Sequence, residues 1–215
     1  LKALRLEDDG TVYAECGIPC SKLARFCQKN GLGGAEFFAG IPGTVGGALT
    51  MNAGAFGGET WNQVQRAVVI NRRGEVSERG PDSFDISYRH VGFPADQWFV
   101  AAYFRFSPST EGEAADVRAM LQRRNETQPI GEPSCGSVFK NPPGKHAAQL
   151  IEASGLKGHR LGTARVSDKH ANFIISEPGT TAADVEALIG LIRSTVEKQF
   201  DVRLETEVRI VGEPA

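Results

Sequence analysis

Gly40-Ile-Pro-Gly-Thr-Val-Gly-Gly-Ala-Leu-Thr-Met-Asn-Ala-Gly-Ala-Phe-Gly-Gly58 is the stretch that decides the fold of this chain. It belongs to a longer region, Gly31–Gly58, that holds ten of the 25 glycines. A set of tight turns is one interpretation, although turns alone rarely need so many glycines in succession. The other interpretation is a ligand-binding backbone, because glycine leaves the main chain unshielded.

The ligand-binding interpretation predicts a phosphate-binding nest. Gly43, Gly46 and Gly47 would let their N–H groups point into one concavity, where such groups bind phosphate oxygens. Thr44 and Asn52 add short polar side chains to the same segment. The sequence therefore predicts a cradle for a phosphate or a dinucleotide.

Composition narrows the class of protein. The chain has 215 residues, of which 40% are apolar and 23% charged, which is ordinary for a globular protein of one or two domains. Its net charge of -2 lacks the basic excess of nucleic-acid-binding proteins. No apolar run approaches the roughly 20 residues that span a bilayer. We therefore expect neither a nucleic-acid partner nor a membrane partner.

Several familiar sites do not fit the sequence. Glu36 stands where the Rossmann fingerprint needs its third glycine, and Ser137 stands where a P-loop needs its lysine. The histidines are scattered, and the cysteines match no common zinc spacing, so we expect no metal. These cysteines are Cys16, Cys20, Cys27 and Cys135.

Strands and helices alternate without a regular βαβ cycle, which predicts an α+β fold. The clearest helix is 182–199, where apolar residues recur with a 3.6-residue period and Thr180 or Thr181 can form the N-cap. Alternating residues over 202–211 predict a C-terminal strand. The polar stretch 107–112 predicts a domain boundary.

Five segments in order resemble one family. The glycine-rich stretch is followed by Tyr88-Arg89 with Phe93, by Ser134-Cys-Gly-Ser-Val-Phe-Lys-Asn-Pro142, by residues 150–172 and by Leu204-Glu-Thr-Glu-Val-Arg209. Together they resemble the UDP-N-acetylenolpyruvoylglucosamine reductase family, in the shorter subclass that lacks an extra loop in the substrate domain. The Gly-Ser-Val-Phe-Lys-Asn-Pro run is highly specific to it.

The resemblance implies the second half of a two-lobed, vanillyl-alcohol-oxidase-like FAD-binding fold, plus a smaller α+β substrate-binding domain. Residues 1–107 would form the C-terminal lobe of the FAD-binding domain, and residues 108–198 would bind the UDP-sugar. Residues 199–215 would form a strand that returns to the active site. The family's N-terminal flavin-binding lobe would lie before Leu1.

The resemblance also implies a reaction. Such an enzyme is a cytoplasmic monomer that uses NADPH and FAD to reduce UDP-N-acetylglucosamine enolpyruvate to UDP-N-acetylmuramate, for peptidoglycan synthesis. Hydride passes from the flavin to the enolpyruvyl double bond, and Ser137 would protonate the neighbouring carbon. Arg89 would contact the substrate carboxylate, and Glu207 would polarise that carboxylate or share a proton with it.

The remaining residue roles are implied in the same way. Lys140 is also a candidate cation for stabilising the Ser137 alkoxide. The implied substrate contacts are Tyr88, Lys140, Asn141 and His170. The implied flavin contacts are Ile41, Pro42, Gly43, Thr44, Gly46, Gly47, Thr50, Asn52, Ala53 and Gly54.

The residues taken alone leave alternatives open for the three catalytic roles. Ser137 can be a turn hydroxyl, and Arg89 can be a surface arginine that pairs with Asp85. Glu205 would lie on the same side of the predicted C-terminal strand as Glu207, and only the Glu-Val-Arg context selects Glu207.

Alternatives also remain for the substrate contacts and for the function. Asn141 can be a turn residue, and His170 can be a structural histidine. Phe56, Val91 and Ser176 depart from the usual family residues. The competing functions are another flavin oxidoreductase of the same fold, or a UDP-sugar-binding fragment without flavin chemistry.

Overall fold

The computed structural model describes residues 1–109 and 113–212, with side chains throughout except at 113–117 and 123. Contacts along the backbone divide the chain into two compact units, Leu1–Arg123 and Arg124–Ala215. The helix Glu113–Thr127 contains this division, whereas the predicted boundary after residue 107 lies before the helix. Residues 110–112 of the predicted polar break, and 213–215 of the predicted C-terminal strand, lie outside the described residues.

The first unit contains one five-stranded sheet and three two-stranded pairs. Its strands are Leu4–Leu6 (β1), Val12–Glu15 (β2), Leu32–Gly33 (β3), Gly54–Ala55 (β4), Gly58–Glu59 (β5), Val64–Asn71 (β6), Val76–Arg79 (β7), Asp85–Ser87 (β8), His90–Gly92 (β9), Gln97–Phe104 (β10) and Ser107–Pro108 (β11). The five-stranded sheet is antiparallel and has the order β1-β2-β10-β6-β7, and the pairs are β3–β11, β4–β5 and β8–β9. The helices of this unit are Cys20–Lys29 (α1) and Val45–Met51 (α2), and the helix Glu113–Thr127 (α3) follows.

The core of the first unit lies between its sheet and its helices. Helix α1 buries Cys20, Leu23, Ala24 and Cys27, the i, i+3, i+4, i+7 pattern of an amphipathic helix. In β10 and β6 the central residues are largely buried, because the sheet is covered by helices and by the 3₁₀ turn Glu36–Gly40. The glycine-rich stretch thus lies against the core of this unit.

The strands of the second unit are Ser134–Ser137 (β12), Arg160–Leu161 (β13), Ala164–Val166 (β14) and Phe173–Ser176 (β15). They form a four-stranded antiparallel sheet of order β12-β15-β14-β13. Its further helices are Ala147–Ala153 (α4) and Ala182–Phe200 (α5). No helix among the described residues is long and apolar enough to cross a membrane.

Helix α5 confirms the clearest prediction from the sequence. Thr181 is the N-cap, and with Asp184 it forms a capping box, in which each side chain accepts from the other residue's backbone N–H. Leu188, Ile192 and Val196 are buried on one face.

The predicted C-terminal strand over 202–211 is wrong. Beyond α5 the described chain is irregular, and its one isolated β-bridge joins Thr206 to Phe139. Because the rest of the segment lacks a continuous ladder, its alternating pattern reflects one-sided packing: Val202, Leu204 and Val208 contact the core of the second unit.

Candidate functional site

Arg89 lies in the turn of the β8–β9 hairpin, whose register pairs Ser87 with His90. Its backbone is left-handed, with a φ of 54°. Its Nη1 donates to the Asn52 carbonyl at 3.3 Å and its Nη2 donates to the Gly54 carbonyl at 2.7 Å. The guanidinium carbon also lies 5.3 Å from the centre of the Tyr88 ring. The glycine-rich stretch therefore orients this guanidinium, while Asp85, its alternative partner, has its Oδ2 3.7 Å from His90 Nε2.

Asn52 uses its side chain inside the first unit. It ends α2 in a left-handed conformation, with a φ of 41°, and is 2% exposed. Its Nδ2 donates to Glu59 Oε2 at 2.9 Å and to the Ser87 carbonyl at 3.1 Å. Its Oδ1 accepts from the Trp61 N–H at 3.1 Å. This amide thus joins three segments of the chain.

The predicted nest of three glycine N–H groups is wrong at Gly46. The Gly46 N–H donates to the Cys16 carbonyl at 3.0 Å, beside a second bond from Val45 N–H to the Ile18 carbonyl at 2.8 Å. A Cβ on Gly46 would lie 3.0 Å from the Cys16 Cβ. Gly46 is therefore required for close packing of α2 on the chain that follows β2.

The opposite face of the same segment is open. Pro42, Gly43, Thr44 and Gly47 are exposed, and Gly43 has a φ of 111°. A Cβ added at Gly43 or Gly47 would meet no atom within 4 Å. Backbone without side-chain cover, beside the Thr44 hydroxyl at a helix start, is what the phosphates of FAD require. The exposed residues therefore fit the predicted cofactor.

The other predicted flavin contacts are more enclosed. Ile41 belongs to the core of the first unit, and Ala53 is partly buried against that core. Thr50 Oγ1 donates to the Gly46 carbonyl at 2.8 Å. Gly54 packs so closely that a Cβ there would lie 2.3 Å from the Gly58 carbonyl oxygen. The exposed backbone of Pro42, Gly43, Thr44 and Gly47 is more accessible to a ligand than these residues are.

Ser137 ends β12 after a bulge. Ser134 pairs with Ile175 and Ser137 with Phe173, so one strand advances three residues while the other advances two. Gly136, inside the bulge, has a φ of 82°. Bulges of this kind redirect a side chain and are frequent beside active sites. The structure therefore gives a reason for the glycine that precedes the half-buried Ser137.

Asn172 fixes the segment that follows Ser137. This buried residue accepts the Phe139 N–H on Oδ1 at 3.0 Å, and its Nδ2 donates to the Phe139 carbonyl at 2.8 Å. Its own carbonyl accepts the Val138 N–H at 2.9 Å. The amide side chain thus pairs with the Phe139 backbone as the main chain of a neighbouring strand would. The sequence alone assigned this residue no role.

The structure distinguishes the two C-terminal glutamates. Glu207 is half-buried, and its N–H donates to the Val138 carbonyl at 2.8 Å. The backbone of Glu207 therefore lies beside that of Val138, the residue after Ser137. Glu205 is exposed and accepts Lys140 Nζ on Oε1 at 2.6 Å. Lys140, the candidate cation for Ser137, therefore has Glu205 as its carboxylate partner.

The other two predicted substrate contacts of this unit also support the fold. Asn141 Oδ1 accepts the Ala147 N–H at 3.0 Å and so helps to begin α4. His170 Nδ1 accepts the Asn172 N–H at 3.3 Å, and its ring lies 4.8 Å from the Phe173 ring. Burial lowers the pKa of His170, which favours the neutral imidazole.

Comparison with known proteins identifies a family for each part of the chain. Residues 2–80 match the FAD binding domain family, and residues 128–211 match the family described as UDP-N-acetylenolpyruvoylglucosamine reductase, C-terminal domain. The UDP-N-acetylenolpyruvoylglucosamine reductase of Alkalilimnicola ehrlichii is 58% identical over 99% of this chain and 72% of its own length. The reductase of the same name from Methylococcus capsulatus is 54% identical, over 99% and 70%.

The chain belongs to the UDP-N-acetylenolpyruvoylglucosamine reductase family. The crystal structure of the reductase of this name from Thermus caldophilus supports the same assignment, with a TM-score of 0.81 and 31% identity over 92% of this chain and 71% of that one. The predicted α+β fold, with an FAD-binding part followed by the family's C-terminal domain, is therefore confirmed.

The three departures from the family pattern lie in different surroundings. Phe56 has a φ of 51°. Its ring packs on Gly40 so closely that a Cβ added to Gly40 would lie 2.4 Å from Phe56 Cε2. Val91 is buried in the core of the first unit. Ser176 ends β15, where its N–H donates to the Pro133 carbonyl at 2.9 Å. Of these three side chains, only that of Val91 is buried, whereas Phe56 is 41% exposed.

Proposed function

We propose that this chain carries the reductase chemistry of its family, the reduction of UDP-N-acetylglucosamine enolpyruvate to UDP-N-acetylmuramate in a cytoplasmic, monomeric enzyme. The observation that carries the proposal is the Ser137 segment, a bulged strand end clamped by Asn172 and by Glu207. In this proposal residues 1–107 bind the flavin and residues 108–198 bind the UDP-sugar. Residues 199–215 return the chain to the active site.

FAD held by this chain, with NADPH as its reductant, would supply a hydride for the enolpyruvyl double bond. The chain's own part is to hold that cofactor against exposed backbone. Pro42, Gly43, Thr44 and Gly47 line the open face of α2, where main-chain groups and one hydroxyl can approach phosphate oxygens. The core side of the same helix keeps this face rigid, because Val45 and Leu49 are buried.

Arg89 binds the substrate carboxylate and stabilises the negative charge that develops next to it. A planar guanidinium suits this task because it can donate two parallel hydrogen bonds. The carbonyls of Asn52 and Gly54 fix its orientation before the substrate arrives. Such preorganisation means that little reorganisation is needed as the charge develops.

Ser137 donates its hydroxyl proton to the carbon next to the one that accepts the hydride. The product therefore gains one hydride and one proton across the former double bond, and the serine is left as an alkoxide to be reprotonated. Glu207 shares a proton with the substrate carboxylate or polarises it. Tyr88, Lys140, Asn141 and His170 contact the nucleotide sugar or its diphosphate, with Lys140 oriented by Glu205.

The test compares Ser137→Ala with Ser134→Ala, a control on the same strand whose residue is exposed. In the flavin-loaded gene product that contains this chain, Ser137→Ala should leave bleaching of the flavin by NADPH intact. It should slow turnover of the enolpyruvyl substrate by several powers of ten, whereas the control keeps both steps. Equal loss of both half-reactions in Ser137→Ala would contradict the assignment of Ser137.

A further inference from the structure

Asn52 and its contacts form a clamp between the glycine-rich stretch and the hairpin that carries Arg89. One amide nitrogen serves both Glu59 and the Ser87 carbonyl, and the amide oxygen receives the Trp61 N–H. The backbone carbonyl of the same residue accepts Arg89 Nη1. Asn52 therefore contacts the hairpin both before its turn and at the guanidinium.

The hairpin turn needs such an external support. Among the described residues, Asn52, Phe56, Arg89 and Asp201 are the non-glycine residues with positive φ, and the first three belong to this region. A non-glycine residue persists in that conformation only where its surroundings over-determine it, and such residues cluster at functional sites. Two-stranded hairpins are also only marginally stable by themselves.

We propose that Asn52 is a positioning residue for Arg89, whose side chain holds the β8–β9 turn in the geometry that receives the substrate carboxylate. This inference rests on the proposed function for its catalytic consequence. It differs from the expectation that the Asn52 side chain contacts the flavin, because that side chain is buried and makes three hydrogen bonds within the unit.

The geometry gives the proposal a direction. Loss of the amide releases the Ser87 carbonyl from its partner and frees the strained turn to relax. The Arg89 guanidinium would then lose its fixed orientation. A misplacement of this group by about 1 Å is enough to lower the rate by about 10²-fold. Reduction of the flavin does not use Arg89, so that step would not change.

The experiment uses the gene product that contains this chain and measures two independent quantities. The first is hydrogen exchange of the backbone amides over 85–92, which needs no turnover. The second is kinetics, with flavin content, bleaching by NADPH and turnover of the enolpyruvyl substrate measured separately. Asn52→Gly removes the side chain while keeping a left-handed backbone accessible, and Asn52→Asp, at a pH where its carboxyl is ionised, keeps the oxygen acceptor but loses the donor.

The matched control is Asn71→Ala. Asn71 makes three comparable side-chain hydrogen bonds, to Glu75 Oε2 at 2.7 Å and from the N–H groups of Arg73 and Glu75, but in the exposed β6–β7 turn. A second, milder variant, Glu59→Ala, removes only one acceptor of the clamp and keeps the test valid if both Asn52 variants fail to fold.

The expected result is faster exchange over 85–92 and a fall in kcat/KM of about 10²-fold in the Asn52 variants, with flavin content and bleaching unchanged. Glu59→Ala should move both quantities in the same direction by less, and Asn71→Ala should move neither. Unchanged exchange over 85–92, or loss of flavin with the hairpin still protected, would overturn the proposal. A wild-type protein that does not turn over the enolpyruvyl substrate would contradict the proposed function, while the exchange data would still decide whether Asn52 holds the turn.

Discussion

Replacing Asn172 by alanine should destabilise the second unit strongly, because this side chain forms both hydrogen bonds to the Phe139 backbone. The two bonds measure 3.0 and 2.8 Å, and Phe139 is 1% exposed. Water therefore does not reach the N–H and C=O that the substitution leaves behind. A fully buried group without its partner costs about 1–3 kcal/mol, so two such groups cost about 2–6 kcal/mol.

The assay must report on the second unit, and this chain helps to separate the signals. Its two tryptophans, Trp61 and Trp98, both belong to the first unit, so indole fluorescence follows that unit alone. Far-UV circular dichroism follows both units, and hydrogen exchange over 138–140 follows the Asn172 contact itself. Asn172→Ala should lower the denaturant midpoint seen by circular dichroism and speed exchange at 138–140.

Ser194→Ala is the matched control in the same unit. It deletes one hydrogen bond, from Ser194 Oγ to the Leu191 carbonyl at 3.0 Å, at an exposed position of α5 where water can replace it. Its effect should stay within about 0.5 kcal/mol. If Asn172→Ala matched this control in both measurements, the reasoning that the amide secures the Ser137 segment would be wrong.

Asn172→Asp adds a pH dependence whose sign is fixed. The neutral carboxyl can accept the Phe139 N–H and donate to the Phe139 carbonyl, whereas the carboxylate can only accept. Burial raises the pKa of this aspartate above its unfolded value, so its stabilisation is complete below the unfolded pKa and is lost as the pH rises through the folded pKa. The denaturant midpoint should therefore decrease as the pH is raised from about 4 to about 8. The wild type, measured over the same range, corrects for the contribution of His170.

Three further predictions concern surface chemistry and packing. A maleimide near neutral pH should label the exposed Cys135 and leave the three other thiols unlabelled until the chain is unfolded, because burial raises the pKa of each of those to about 12; equal labelling of all four in the native state would contradict this. Gly47→Ala should keep or slightly raise the melting temperature but weaken FAD binding in a flavin titration. Gly58→Ala should instead destabilise the fold by about 1–3 kcal/mol, because its Cβ would lie 2.5 Å from the ring of the buried Phe37. Glu205→Gln should raise KM for the UDP-sugar more than it lowers kcat, with little change in stability, because this carboxylate is exposed and orients Lys140; an unchanged KM would argue against that role.

The strongly periodic elements could be predicted from the sequence. Helix α5 combines a buried stripe with a cap, and both signals are local. Helix α2 was missed because its seven residues contain two adjacent glycines, which disfavour a helix that tertiary packing here imposes. The C-terminal strand was predicted wrongly because alternation reports one-sided burial, whereas a strand also needs a partner along its length.

The candidate site shows the same limit more sharply. A motif places Ser137 and Glu207 in a family pattern, but it does not say which backbone each one contacts. The Asn172 side chain forms a hydrogen bond with Phe139, 33 positions away. The Asn52 side chain donates to the carbonyl of Ser87, 35 positions away. Contacts at such separations depend on how distant strands and turns are brought together, and the Asn172 contact depends also on the bulge at Gly136, so no local pattern contains them.

The concentration of glycine therefore has more than one physical cause, and this changes how substitutions there must be interpreted. Gly46, Gly54 and Gly58 are required because other atoms occupy the place of a Cβ, and the Gly54 carbonyl also holds Arg89. A substitution at these positions would disturb the core, the arginine and the cofactor face together, so a loss of flavin would not identify a flavin contact. Gly47 differs, because a Cβ there meets nothing within 4 Å. It is the position at which added bulk tests the approach of a ligand without first disturbing the packing.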